Sequence, residues 1–265
     1  MGCGAAALAS AALAFVMLTA LVRSIIFPAS GVRFPEPGEG APWRVVRYEA
    51  VDGIRLDGAY FAPPAAGGHV VLYFHGNAEA AAQNLPLGGS LCAAGFGVFL
   101  AEYRGYGSLP GSPSEKGLYA DGEAALAELG RLGIPPARVV LAGRSLGSGV
   151  AVELATRHAV AAVVLVSAYT SIVDMGRTLA GPLARLVVRD RFDSLSKIAG
   201  VASPVVLLHG TRDDVVPVEM GRRLAAARPG ARWVEIPGAT HNDFPGLGAL
   251  MEREIAGVLA GQARQ

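Results

Sequence analysis

Ser145 stands in Gly143-Arg144-Ser145-Leu146-Gly147, directly after the apolar run Val139-Val140-Leu141-Ala142. A short apolar run reads as a buried strand, and a helix-forming stretch follows the motif. A strand that turns sharply into a helix lifts the serine at the turn to the end of a sheet, where a base can reach its hydroxyl. The chemistry open to that hydroxyl is attack on a carbonyl carbon, its proton passing to the base. With 35 glycines in 265 residues, a lone G-x-S-x-G match is weak. The plainer reading is a serine that caps an ordinary helix. The choice depends on whether the chain supplies the other parts.

The base should be a histidine, held by a buried carboxylate. Five histidines are present. His69 and His158 have surface-like neighbours. His75 and His209 each close an apolar run before a glycine, a place for structural hydrogen bonds. His241 differs, lying in Pro237-Gly238-Ala239-Thr240-His241-Asn242-Asp243, between the last expected strand and the last expected helix. It is the expected base. The carboxylate should fall between serine and histidine in chain order. Asp213 does so, just past the run Val205-Val206-Leu207-Leu208, with Asp214 as its immediate competitor. Asp174, Asp190 and Asp193 lie in the same interval but follow no strand end. For Asp213 or Asp214 the alternative is a solvated turn carboxylate.

Attack on a carbonyl builds an oxyanion, and losing one N–H donor to it typically costs about 10²–10³ in rate. One donor is expected from Leu146, directly after the serine. The other is expected from Asn77, in His75-Gly76-Asn77-Ala78 after an earlier apolar run. This chemistry calls for no metal and no cofactor.

These side chains need a scaffold. Strands are expected at 44–50, 54–61, 69–74, 97–103, 139–142, 161–166, 205–209 and 233–236. Helices are expected near 79–94, 115–132, 146–157, 219–227 and 247–260. Strands alternating with helices predict an α/β domain with a mostly parallel eight-stranded sheet covered on both faces. Ligands then bind beyond the carboxyl ends of the strands. The first two strands read as a hairpin joined at Asp52-Gly53. The alternation also suits nucleotide binding, but no G-x-G-x-x-G or G-x-x-x-x-G-K-[ST] occurs, and Gly147-Ser148-Gly149 lacks the third glycine.

Just over half the residues are hydrophobic, enough to fill one large core, and the net charge is +1. There is no basic block, so nucleic acid is not an expected partner. Lys116 and Lys197 are the only lysines, and Cys3 and Cys92 make no disulfide framework. Residues 1–27 read as a hydrophobic helix. Its uncharged stretch Ala5 to Val22 would span about 27 Å, just enough for a bilayer core. A membrane anchor is the expectation. A cleaved signal peptide lacks its basic n-region, and a soluble helix would need a polar face. Arg23, Arg33, Arg44 and Arg47 follow the stretch and none precedes it, which places the remainder in the cytoplasm. Residues 28–43 read as a Pro/Gly-rich linker and 44–265 as the catalytic domain.

The motifs Phe74-His75-Gly76-Asn77-Ala78, Glu102-Tyr103-Arg104-Gly105-Tyr106-Gly107-Ser108, Gly143 to Gly147, Arg191-Phe192-Asp193-Ser194-Leu195, His209 to Pro217 and Gly238 to His241 occur in one order. In that order the chain resembles the α/β-hydrolase superfamily, and most of all its small, membrane-anchored branch. That branch includes protein depalmitoylases and serine aminopeptidase-like proteins. The resemblance implies a triad of Ser145, Asp213 and His241, with the backbones of Asn77 and Leu146 as oxyanion hole. Many relatives begin the second motif with Asp where this chain has Glu102, a position outside the triad.

In such a fold, residues 168–200 form a short lid. Leu179, Leu183, Leu186 and Val187 fall at helical spacing among Arg177, Arg185, Arg189 and Arg191. That suits either a helix packed on the body or a cover for an acyl chain at a membrane surface. Tyr103, Arg144, Tyr169 and Thr170 are expected at the entrance. The expected reaction is cleavage of esters or thioesters of small or lipidated acyl substrates, with amide or peptide cleavage next. A non-catalytic scaffold on the same fold is the remaining alternative.

Overall fold

The computed structural model describes the backbone of residues 2–262 and the side chains of residues 14–177 and 181–262. Eight strands form one sheet: β1 (Trp43–Glu49), β2 (Arg55–Phe61), β3 (Val70–Phe74), β4 (Gly97–Ala101), β5 (Val139–Arg144), β6 (Ala162–Val166), β7 (Val205–Gly210) and β8 (Arg232–Ile236). Their order is β1-β2-β4-β3-β5-β6-β7-β8. Only β2 runs against the rest, pairing antiparallel with β1 and with β4. This is the expected mostly parallel sheet.

The helices are α1 (Gly2–Ile26), α2 (Leu85–Ala93), α3 (Glu115–Arg131), α4 (Leu146–Arg157), α5 (Ile172–Ala180), α6 (Ala184–Val187), α7 (Ser194–Lys197), α8 (Val218–Ala227) and α9 (Leu247–Gln262). They cover both faces because the inner strands are buried on both. Along β3, Val70, Leu72 and Phe74 join a core that includes side chains of α3, α4 and α8. Val71 and Tyr73 point the other way, into a core that includes side chains of α2 and α9. Successive strand residues face opposite sides, so a run apolar at every position needs a helix layer on each.

The register aligns the carboxyl ends of the strands. Phe74 pairs with Gly143, Arg144 with Val166, and Gly210 with Ile236. The loops after β3, β5, β7 and β8 therefore open at one edge, and they carry Asn77, Ser145, Asp213 and His241.

Three expectations change. The helix expected over 79–94 starts later, as a 3-10 turn Ala81–Asn84 followed by α2. The side chains of Glu79 and Gln83 accept backbone N–H groups of Gly76 and Ala80 instead. The Pro/Gly-rich stretch is docked: Gly107 N–H donates to Ser30 O at 2.8 Å, and the Ser108 hydroxyl donates to Gly31 O at 3.0 Å. At the N-terminus, no helix among the described residues is long and apolar enough to cross a membrane. Of the anchor expected over residues 1–27, residues 1–13 have side chains outside the described residues. At its other end α1 packs on the domain, with Thr19, Ile26 and Phe27 buried.

Candidate active site

β5 ends at Arg144 and α4 begins at Leu146, so the chain reverses at Ser145, which adopts φ 48° and ψ −117°. A non-glycine residue at such angles stores about 1–3 kcal/mol of strain. Two glycines make the turn possible. A Cβ on Gly143 would lie 2.2 Å from Gly147 O, and one on Gly147 would lie 2.1 Å from Phe74 O. One backbone and one side-chain hydrogen bond hold the turn, with Ser145 N–H donating to Val166 O at 2.9 Å and the Ser148 hydroxyl to Ser145 O at 2.6 Å. The Ser145 side chain makes no capping bond to α4. The helix-cap reading therefore fails at Ser145.

His241 follows β8. Its Nδ1 lies 3.0 Å from each carboxylate oxygen of Asp213. With the Nδ1 proton given to Asp213, Nε2 keeps its lone pair. Asp214 reaches only the His241 backbone N–H, at 3.4 Å. Asp213 Oδ1 also accepts the N–H groups of Val215 at 3.0 Å and Val216 at 2.7 Å. Burial alone would raise the Asp213 carboxyl, but the hydrogen bonds from His241 and Val216 and the His241 charge outweigh it and hold the pKa at about 2. Neighbouring His209 gives its Nε2 proton to Val216 O at 2.9 Å, and burial lowers its pKa.

Asn77 lies in the loop after β3 and Leu146 opens α4. No partner for the backbone N–H of either is found among the described residues. The Asn77 side chain turns back on its own loop, accepting Ala78 N–H at 2.9 Å. Behind this loop, His75 Nε2 lies 2.8 Å from Glu102 Oε1, both groups being fully buried. Burial opposes the charge on His75, but the hydrogen bond and charge of Glu102 outweigh it and raise its pKa. Glu102 also accepts the N–H groups of Ala81 and Tyr103. It is a structural strut of the loop that carries Asn77.

Ser145, Leu146, Asn77, Tyr169 and His241 line one cavity of about 680 Å³. Apart from Asn242, its other walls are apolar: Ile172, Met175, Val187 and Val188 of the lid, and Val215 and Val216 beside Asp213. No aspartate or glutamate lines it among the described residues. Nor do those residues include a group of three His, Cys, Asp or Glu that could hold a metal ion. Of the expected lid positions, Val187 lines the cavity, Leu183 and Leu186 are exposed, and the Leu179 side chain lies outside the described residues.

Three of the four expected entrance residues, Tyr103, Arg144 and Thr170, do not line the cavity. Tyr103 is fully buried and its hydroxyl donates to His75 O at 3.2 Å, because β4 ends at Ala101 and the chain turns inward. Arg144 is a clamp. Its Nη2 donates to His241 O at 2.7 Å and to Asn242 Oδ1 at 3.3 Å, and its Nη1 lies 3.5 Å from Glu79 Oε1. That same Glu79 oxygen accepts Gly76 N–H at 2.6 Å. Tyr169 does line the cavity, with its hydroxyl donating to Leu146 O at 3.3 Å. Thr170 bonds Asp174. Sequence reasoning missed Glu79, which no motif marks, and the contribution of Val22, Ile25 and Ile26 from α1 to the cavity wall.

The family described as serine aminopeptidase, S33, matches residues 66–196. An uncharacterised protein of Mycobacterium tuberculosis H37Rv is 42% identical over 83% of this chain and 80% of its own length. The human α/β hydrolase domain-containing protein 17B is 39% identical over 70% of this chain and 64% of its own length. Among solved structures, the esterase domain of a Rhodothermus marinus protein superposes with a TM-score of 0.62 at 20% identity, over 82% of this chain and 97% of its own. The chain belongs to the α/β-hydrolase superfamily.

Proposed function

We propose that the chain cleaves carboxylic esters or thioesters through an acyl-enzyme on Ser145. His241 Nε2 takes the Ser145 proton as Oγ bonds to the substrate carbonyl carbon. Asp213 orients the imidazole and stabilises its charged form without taking the proton. The free N–H groups of Asn77 and Leu146 receive the oxyanion, with the positive end of α4 behind Leu146. The tetrahedral intermediate collapses, the alcohol or thiol leaves with the proton from His241, and the acyl group stays on Ser145. A water that gives its proton to His241 then attacks the acyl carbonyl, and the acid departs as Ser145 recovers its proton.

The observation that carries the acyl preference is the cavity beside Ser145 and His241, about 680 Å³ and walled by aliphatic side chains. The family description favours an aminopeptidase instead. A site that holds a peptide by its free α-ammonium group needs a negative partner, and no carboxylate lines this cavity among the described residues. A binding scaffold on the same fold would have no use for the strained turn at Ser145, which a catalytic nucleophile does use. The test is a fluorophosphonate probe with the wild type and Ser145→Ala, followed by rates on p-nitrophenyl esters and aminoacyl anilides. Labelling of the wild type alone, with esters preferred, is the expected result. Unlabelled wild type would favour the scaffold, and faster anilide cleavage the peptidase.

A further inference from the structure

One wall of the cavity belongs to neither the sheet nor the lid. Val22, Ile25 and Ile26, in the last two turns of α1, line it beside Met175, Val187 and Val188. We infer that this end of α1 is an acyl-chain selector, with Val22 and Ile25 bounding the channel in which the chain of the substrate lies. The inference rests on the acyl-hydrolysis reading above and assigns specificity to a segment ahead of the catalytic domain.

The wall is fixed in place. Between the two lining positions, Arg23 Nη2 donates to Pro113 O at 2.7 Å, and its Nε lies 3.2 Å from Asp190 Oδ2. The other oxygen of Asp190 accepts Glu115 N–H at 2.8 Å, so this carboxylate ties α1 to the start of α3. One turn on, Phe27 packs edge-on against Phe192, with ring centroids 6.2 Å apart. Beyond it the chain is strapped down through Ser30 and Gly31. A merely tethered helix would not carry this set of contacts at its end.

The chemistry of the wall matches an alkyl chain. The side chains α1 adds are purely aliphatic, as are those of Val187 and Val188. The volume lies within the range of about 300–1,000 Å³ that ligand pockets occupy, far more than an acetyl group fills. Ile25 is 62% exposed, although it lines the cavity. An aliphatic side chain left open at a cavity mouth gains most from a chain laid against it. Each methylene so buried strengthens binding by about fourfold.

The test uses the full chain in detergent and alkyl fluorophosphonates with chains of two to sixteen carbons. Its readout is the dodecyl-to-ethyl ratio of labelling rates at Ser145. Ile25→Trp and Val22→Trp should each lower the ratio about tenfold, because the indole fills the channel. Ile25→Ala, which keeps the helix and opens the wall, should move the optimum to longer chains. Leu21→Trp, on the same helix but outside the cavity and 58% exposed, should keep the wild-type ratio. The proposal is overturned if Ser145 labels with the ethyl probe and the Ile25 variants keep the wild-type ratio. It is overturned too if Leu21→Trp lowers the ratio as far as Ile25→Trp. Wild type that labels with no probe would overturn the hydrolase reading itself, and this one with it.

Discussion

Nδ1 of His241 stands 3.0 Å from both carboxylate oxygens of Asp213, whereas Asp214 touches only the His241 backbone. The two adjacent acids therefore make opposite predictions. Asp213→Asn presents an amide that pushes the imidazole toward the wrong tautomer, and kcat should fall about 10⁴-fold. Asp214→Asn should keep kcat within about threefold, since a neutral side chain can still accept one backbone N–H. Steady-state rates on a short ester decide it. Equal losses in the two variants would remove the distinction.

Asp213 also makes stability depend on acid. Its folded pKa is held at about 2, against about 3.9 for an ordinary aspartate. Between those values the unfolded chain binds the proton and the folded one does not. The contribution is therefore complete above about pH 4 and is lost as pH falls toward about 2. Urea unfolding at stepped pH should show the wild type weakening more steeply than Asp213→Asn across that window, by up to one proton in the slope. Parallel curves would mean that the His241 and Val216 bonds do not favour the ionised carboxylate.

The parts that were readable in the sequence share one property: local chemistry dictated them. Central strands such as Val70–Phe74 are apolar at every position because both faces are buried. Ser145, Asp213 and His241 each follow a strand end, where chain order and neighbours limit what a residue can do. The parts that were not readable depend on where distant segments meet. Tyr103 follows β4 as an entrance residue would, yet the inward turn buries it. Arg144 flanks Ser145, but its clamp needs His241, 97 positions away. Ser30 and Gly31 are held mainly through backbone carbonyls, which leave no side-chain signature. An apolar α1 carries no mark of which turn will face a cavity.

Close packing under the turn gives a third prediction. Gly147→Ala places a methyl 2.1 Å from Phe74 O and 2.7 Å from His75 O. Neither carbonyl can retreat without shifting the end of β3 and the loop that carries Asn77. The variant should lose about 3 kcal/mol of stability and most of its activity. Gly89→Ala on α2, where a Cβ meets nothing within 4 Å, is the control. It should gain about 0.5–1 kcal/mol from helix propensity. Thermal melts of the pair suffice, and equal melting temperatures would refute the packing argument.

Arg144 joins the two loops that flank Ser145. One side of its guanidinium holds the His241 carbonyl, and the other meets Glu79, whose carboxylate holds the Gly76 N–H beside Asn77. A planar fork can serve both sides at once, which the point charge of lysine does less well. Arg144→Met should release both loops and lower kcat by about 10- to 100-fold, the cost of small misplacements of reacting groups. KM for a short ester should change less than about twofold, since the Arg144 side chain is outside the cavity wall. Arg144→Lys should recover part of kcat. A loss confined to KM would instead make Arg144 a substrate contact, and an unchanged kcat would reduce the clamp to a surface ion pair.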